Sequence, residues 1–356
     1  MTAATGDVRA VAFYLPQFHP IPENDRWWGK GFTEWRNVVR ARPNFPGHYQ
    51  PQLPADLGFY DLRLSETREA QAALARAYGV SAFCYYHYWF SGRRLLERPL
   101  DEVVASGKPD FPFCVCWANE NWTRRWDGLD HEILVGQDYR PDDAAAFIRD
   151  LLPVLADPRY LRVNGRPVVL VYCASALPEP RRWSDTWRRA AQQAGHPDLY
   201  LALVQSVNET GGDPRPIGFD AAVEFPPHLF AMDELTAGVT GARPGFRGAI
   251  LDYIASARYG LARARPDYTL LRGVMPGWDN TARGQDTANA FVNAEPANYE
   301  RWLRGSVAIT RAWHAGDERL VFVNAWNEWA EGCHLEPDLR HGSAFLEATH
   351  RALAPI

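Results

Sequence analysis

Short apolar runs recur along the whole chain, at residues 8–15, 80–89, 113–118, 167–173, 199–207, 221–225, 270–276 and 320–325. Most are apolar on both faces, which is the pattern of parallel strands covered by helices rather than of strands with one wet face. Stretches with helical periodicity lie between most pairs. Ser65 is placed to cap one whose stripe is Ala70, Ala73, Leu74, Ala77 and Tyr78, stopped at Gly79. Trp183, Trp187, Ala190, Ala191 and Ala194 repeat the stripe ahead of Gly195, and Tyr299, Trp302, Leu303 and Ile309 mark a helix before the eighth strand. Ser343 is placed to cap the last helix, with Phe345, Leu346 and Leu353 turned inward. Eight strands alternating with helices predict a closed (β/α)8 TIM barrel, one domain over residues 1–356, rather than an open doubly wound sheet. Strand six is the weakest element, being short and followed by a long irregular stretch, 226–248.

In such barrels ligand chemistry gathers where strands end and βα loops begin. The strand exits are therefore the places to look. Strand one runs out into a polar, aromatic loop holding Asp25, Trp27, Trp28, Glu34 and Trp35, and strand two into Tyr85-Tyr86-His87-Tyr88-Trp89. Strand three gives Trp117, Asn119, Glu120 and Trp122, then Arg124, Arg125, Trp126 and Asp127. Strand six gives Glu224, strand seven Trp278, Asp279 and Asn280, and strand eight Trp326, Asn327, Glu328, Trp329, Glu331 and Glu336. Glu328 and Glu331 lie three apart just after a buried strand, a spacing that puts both carboxylates on one side of a tight turn. Glycoside hydrolysis needs two carboxyl groups, one protonated and one ionised, and crowding like charges among tryptophans pushes their pKa values apart. A solvated turn with incidental glutamates is the plainer alternative, and Trp326 and Trp329 interleaved with them weigh against it. For the Trp27-Trp28 loop, a sugar-binding wall and a loop pinned by its own tryptophans are equally good readings. Asn119, Glu120 and Trp122 read as hydroxyl-binding and ring-stacking groups, with Arg124 and Arg125 either pairing with Asp127 or meeting an acidic sugar. Side chains alternate faces along a strand, so half of residues 85–89 belong to the core, and His87 reads as a buried histidine before it reads as an acid or base. Glu224 follows an apolar strand and is read in a supporting role.

Composition narrows the partners. The net charge is −5 and no long run of Lys or Arg occurs, so the basic footprint of a nucleic-acid binder is missing. The 14 Trp, 15 Tyr and 17 Phe are more telling, because many tryptophans stand beside Asn, Glu and Arg. An indole near hydrogen-bonding groups suits a sugar, with its apolar C–H face and polar rim. The expected partner is therefore an oligo- or polysaccharide. Cys84, Cys114, Cys116, Cys173 and Cys333 form no CxxC and no zinc pattern, so buried reduced thiols, no metal and no cofactor are expected. No membrane span and no signal-peptide pattern stand out, and the expectation is a cytoplasmic protein, or a secreted one if a signal peptide has been removed.

The strings YLPQFHPIPENDRWWGKGFTEW, YYHYWF, WANENWTRRWDG and NAWNEWAEGCHLEPD strongly resemble the WbsX-like family over nearly the whole chain. Members of that family were first labelled glycosyltransferases and are now grouped as glycoside hydrolase family 99-like. The similarity to family 99 itself, the endo-α-mannosidases and endo-α-mannanases, is narrower and rests on the WNEWAEG and LEP segments. That resemblance implies Glu328 as base, Glu331 as general acid/base, and Glu336 as a residue shaping the site. It further implies a metal-independent, retaining hydrolase in which the substrate's 2-hydroxyl forms a 1,2-anhydro sugar. The Trp-rich N-terminal loop departs from that family's pattern and leaves the sugar open. Two rivals remain. A glycosyltransferase is disfavoured by the lack of a DxD motif and a diphosphate loop, and a non-catalytic sugar-binding barrel would not need two adjacent carboxylates.

Overall fold

Eight parallel strands hydrogen-bond side by side and close on themselves in the computed structural model, which describes residues 7–124, 129–207, 212–228 and 232–354. They are β1 (Arg9–Tyr14), β2 (Val80–Phe90), β3 (Phe113–Trp117), β4 (Arg166–Val171), β5 (Tyr200–Gln205), β6 (Ala221–Glu224), β7 (Thr269–Val274) and β8 (Leu320–Val323). Closure is made by β1, which pairs with β8 through Ala12↔Val323 and with β2 through Tyr14↔Tyr85. The chain is thus a (β/α)8 barrel, and each strand lies within a few residues of its expected position.

The helices are α1 (Pro22–Trp28), α2 (Trp35–Val38), α3 (Ser65–Ala77), α4 (Arg98–Ser106), α5 (Asp143–Leu155), α6 (Pro180–Gln193), α7 (Tyr253–Ala262), α8 (Thr281–Gly284), α9 (Pro296–Trp313) and α10 (Ala344–Leu353). Of these, α1, α2 and α8 sit in the loops at the C-terminal mouth. Two further short pairings, Trp122–Arg124 with Leu129–Val135 and Ile250–Asp252 with Ala290–Val292, also belong to βα loops. The stretch after β6 is irregular, as expected.

The barrel interior is aromatic. Phe13 on β1 touches Tyr86 at 5.7 Å, Phe225 at 4.9 Å and Phe322 at 5.7 Å between ring centroids. Outside the strands a second aromatic layer forms against α5 and α6, where Trp117 stacks on Phe147 at 4.3 Å and on Trp183 at 5.7 Å. The predicted stripe on α3 is met only in part: Leu74 and Tyr78 pack against the core, but the most deeply buried face of the helix is offset from them. Its buried residues are Arg68, Gln71, Ala72 and Ala75, while Ala70, Ala73 and Ala77 face water. Hydrogen bonding decided this over alanine patterning: Gln71 donates to Glu336 at 2.6 Å and Arg68 to the Leu62 carbonyl at 2.5 Å. Ser343 does occupy the N-cap position of α10, and Ser65 opens α3, but neither side chain caps its helix.

Candidate active site

Beyond β8 the chain is clipped to its neighbour by one amide. Asn327 accepts from the Leu15 N–H at 2.7 Å and donates back to the Leu15 carbonyl at 3.0 Å, joining the exits of strands eight and one. Asn327–Glu328 then pairs antiparallel with Cys333–His334, so residues 329–331 must form one tight turn. Gly332 closes that turn at φ 57, where a Cβ would meet the Asp279 carbonyl oxygen at 2.9 Å. Only glycine tolerates both the left-handed backbone and that close approach.

The turn delivers Glu328 and Glu331 to one guanidinium. Arg283, on α8, donates to Glu328 at 3.1 Å and to Glu34 at 2.8 Å, and its other terminal nitrogen pairs with Glu331. Three carboxylates from two loops therefore face one cation brought by a third loop. Burial pushes the Glu328 carboxyl well above the usual carboxylate range, with Arg283 opposing and Glu331 and Glu34 adding to it. Glu34, fully buried, is raised by burial against the pull of Arg283. Burial disfavours a charged Arg283, yet the three carboxylates outweigh it and hold the cation. One cation cannot neutralise three anions away from water, so this cluster is built to carry a proton.

Glu328 and Glu331 open onto a cavity of about 480 Å³ at the C-terminal mouth, within the range of ligand sites. Tyr86, Tyr88, Trp122, Trp278 and Phe225 supply aromatic walls, and Gln17, Glu120, Asn280 and His228 supply polar groups. Apolar faces with scattered hydrogen-bonding groups are what a sugar ring requires. Among the described residues, no group of three or more His, Cys, Asp or Glu is arranged to hold a metal ion.

Of the residues singled out from sequence, Glu328, Glu331, Glu120, Trp122 and Trp278 line this cavity. Trp27 and Trp28 line a separate, smaller one beside it, and Trp27 touches Trp122 at 6.0 Å. Trp126 lies outside the described residues. The others are placed elsewhere. His87 faces away from the barrel interior against Phe147, and burial drives its pKa down to about 3, so it is a neutral packing residue. Trp117 belongs to the same outer layer, its indole N–H bonded to the Trp89 carbonyl at 3.0 Å. Asn119 is spent on backbone, exchanging hydrogen bonds with Cys173 at 2.7 and 2.8 Å. Trp35 packs among Phe18, Phe59, Tyr60 and Trp329, and Trp326 is buried against Phe83. Trp329 stacks on His334 at 3.7 Å and donates to Glu336 at 2.7 Å. Glu336 also accepts from Tyr60 and Gln71, so it braces the turn from behind the cavity. Glu224 is tied to Arg263 and Arg272, each at 3.1 Å, on the helix side of the barrel wall.

Among the cavity residues that escaped the sequence reading, Tyr86, Tyr88 and Arg283 matter most. Tyr86 and Tyr88 have the opposite strand parity to His87, and a count of faces anchored on an interior residue such as Phe13 would have found them. Arg283 gave a weaker signal: a lone arginine five residues past Trp278.

The fold is one shared with carbohydrate-active barrels. A solved "Glycoside hydrolase-like protein" superposes with a TM-score of 0.62 at 14% identity, covering 100% of this chain and 96% of that one. An endo-α-mannosidase of glycoside hydrolase family 99 from Bacteroides thetaiotaomicron superposes with a TM-score of 0.57 at 14% identity, covering 97% and 96%. At such identities the likeness is one of fold. The chain belongs to the WbsX family, whose model, described as "Glycosyltransferase WbsX", matches residues 10–349. It is 51% identical over 343 residues to a protein of Xanthomonas campestris pv. campestris described as "Uncharacterized protein WxcX", and 50% identical to the counterpart in another strain. The match covers 96% of this chain and 49% of those proteins, so the chain spans about half their length. Among the described residues no helix is long and apolar enough to cross a membrane.

Proposed function

We propose that this chain is a glycoside hydrolase that cleaves a polysaccharide or oligosaccharide with retention of configuration, without a metal ion. The observation that carries the reading is the convergence of Glu328 and Glu331 on one aromatic-walled cavity at the barrel mouth. Both carboxylates come from one turn and reach the same guanidinium, which supports reading them as a pair on one side of the sugar ring rather than flanking it. A nucleophile and an acid normally flank the ring, about 5–5.5 Å apart. A pair on one side instead suits a base that takes a proton from the 2-hydroxyl at the ring's rim. In this scheme Glu328 removes that proton, O2 attacks the anomeric carbon, and Glu331 protonates the departing oxygen. Water then opens the 1,2-anhydro sugar, giving its proton to Glu331 while Glu328 returns one to O2. The roles fit the exposures: the Glu328 side chain is 6% exposed and that of Glu331 16%. The group that must exchange protons with a leaving group and then with water is the more open one. The raised pKa of Glu328 makes it a stronger base than an ordinary carboxylate once ionised.

The family description favours a glycosyltransferase as the second reading. Against it, the one arginine of the described cavity lining is already shared by Glu34, Glu328 and Glu331. A nucleotide diphosphate would meet net negative charge there. The test is digestion of a panel of glycans in EDTA, with nucleotide sugars run in parallel and the first-formed product followed by NMR. The expected result is a retained anomeric configuration and no turnover of a 2-deoxy or 2-O-methyl substrate. Inversion, or brisk hydrolysis of the 2-deoxy analogue, would overturn the mechanism. Transfer from a nucleotide sugar would overturn the hydrolase reading itself.

A further inference from the structure

A second cavity, of about 210 Å³, lies beside the candidate active site, where Trp27 meets Trp122 of its wall. It is lined by Trp27, Trp28, Phe32, Arg36, Asn37, Arg40, Ala282 and Gln285. Its composition is the reverse of the active-site cavity. No carboxylate lines it, and among the described residues neither Arg36 nor Arg40 has an acidic side chain within ion-pair distance. Arg36 and Arg40 stand four apart at α2 and just beyond it, and one nitrogen of Arg36 is oriented by the Trp28 carbonyl at 2.8 Å. Asn37 between them is 9% exposed, and its buried Nδ2 has no hydrogen-bond partner among the described residues. A buried amide donor without a partner is destabilising, and a bound acceptor would relieve it. The pocket therefore presents donors and positive charge beside two indoles.

From this we infer that the pocket is a subsite for an anionic sugar unit, one carrying a carboxylate or a phosphate. The guanidiniums and the Asn37 amide would take the anionic group, and Trp27 and Trp28 the C–H face of the ring. It adjoins the active-site cavity across a shared wall. Trp27 meets Trp122 of the cavity wall at 6.0 Å, and Ala282 and Gln285 flank Arg283 in sequence. A glycan in the main cavity thus has a neighbouring unit within reach of this pocket. The inference rests on the hydrolase reading for the identity of the main-cavity ligand and names the charge of the substrate class. An anionic unit would otherwise be repelled by the surplus acid at Glu34, Glu328 and Glu331, so a separate cationic pocket resolves a conflict that an acidic substrate would face.

The test is binding, which does not require turnover. Tryptophan fluorescence titration would compare a glucuronate-containing oligosaccharide with its carboxyl-reduced form, and a hexose 6-phosphate with the free hexose. The wild-type chain should favour the anionic member of at least one pair by about threefold to tenfold, the range of one partly exposed charged hydrogen bond. Which pair responds distinguishes carboxylate from phosphate. Arg40→Gln, at an exposed side chain with no structural bond, should bring that ratio close to one, as should raised salt. Arg36→Gln serves as the second variant. Equal binding of both members in both pairs, or a preference untouched by both substitutions, would overturn the proposal. Failure of hydrolysis with the charge preference intact would overturn the hydrolase reading alone.

Discussion

Two buried clusters of glutamate and arginine stand on this barrel, and they are charged in opposite senses. At the mouth, Glu34, Glu328 and Glu331 share Arg283. On the helix side of β6, Glu224 is alone between Arg263 and Arg272. The second cluster is knitted into the wall: Glu224 also accepts from the Gly273 N–H at 3.1 Å, and Arg272 lies over the Trp313 ring at 5.2 Å. The first faces a cavity and carries surplus acid. Burial raises the carboxyl pKa in both clusters, so a displaced pKa alone does not mark a reactive group. What separates them is access and balance. A carboxylate outnumbered by cations has no proton to give, whereas one that competes with two others for a single cation does.

The largest effect should come from the mouth. Glu328→Gln and Glu331→Gln each keep the shape of the turn and remove a group that moves a proton, a contribution of about 10²–10⁴-fold. Turnover should fall by that factor while the folded state and glycan binding persist, since each change also relieves crowding of like charge. Turnover near the wild-type value in either variant would dissolve the contrast between the clusters.

Glu224→Ala should do the reverse. Removing the one acid leaves two arginines facing each other, of which Arg272 is fully buried, at a cost of about 3–5 kcal/mol. Urea unfolding should show that loss, and turnover per folded molecule should stay close to normal. A drop in turnover larger than the drop in folded fraction would return Glu224 to the active site.

Much of this was legible in the sequence, for identifiable reasons. Parallel strands covered on both faces announce themselves as apolar runs, so all eight were placed within a few residues, and the strand-eight exit drew attention because two acids sat among tryptophans. What the sequence could not show was which way each aromatic or amide points. Trp117 and Trp122 look alike in WANENW, yet one fills the space under α5 and α6 and the other walls the cavity. His87 and Tyr88 are neighbours on opposite faces of β2. Asn119 and Asn327 look like hydroxyl-binding residues because they are polar at strand exits, but both hydrogen-bond the backbone of a neighbouring strand exit. Arg283 gave only a weak signal because its importance lies in three partners distant in sequence.

Glu336 sharpens the comparison further, because among the described residues no cation lies within ion-pair distance of this buried carboxyl. Its partners are the neutral donors Tyr60, Trp329 and Gln71, at 2.7, 2.7 and 2.6 Å. Burial raises its pKa from 4.5 to about 7 even though these donors favour the anion. The native state then binds a proton that the unfolded chain has released, so this group's stabilisation is present in full below about pH 4.5 and is lost as pH rises towards 7. The gap of about 2.5 between the two values corresponds to about 3 kcal/mol at the most. Whole-protein stability cannot isolate this, because His19 and His87, with pKa values lowered to about 4 and about 3, gain stability over part of the same window. Comparison with Glu336→Gln can. The variant keeps one accepting oxygen and loses the other at every pH, but the destabilisation should be greatest near pH 4.5 and shrink by up to about 3 kcal/mol by pH 7.5 as the wild-type carboxyl is forced to ionise. Urea unfolding of both proteins across that range measures it. A destabilisation that does not change with pH would mean that neutral donors suffice to hold a buried carboxylate near its ordinary pKa, and that the surplus acid at the mouth is less strained than its lack of counter-charge implies.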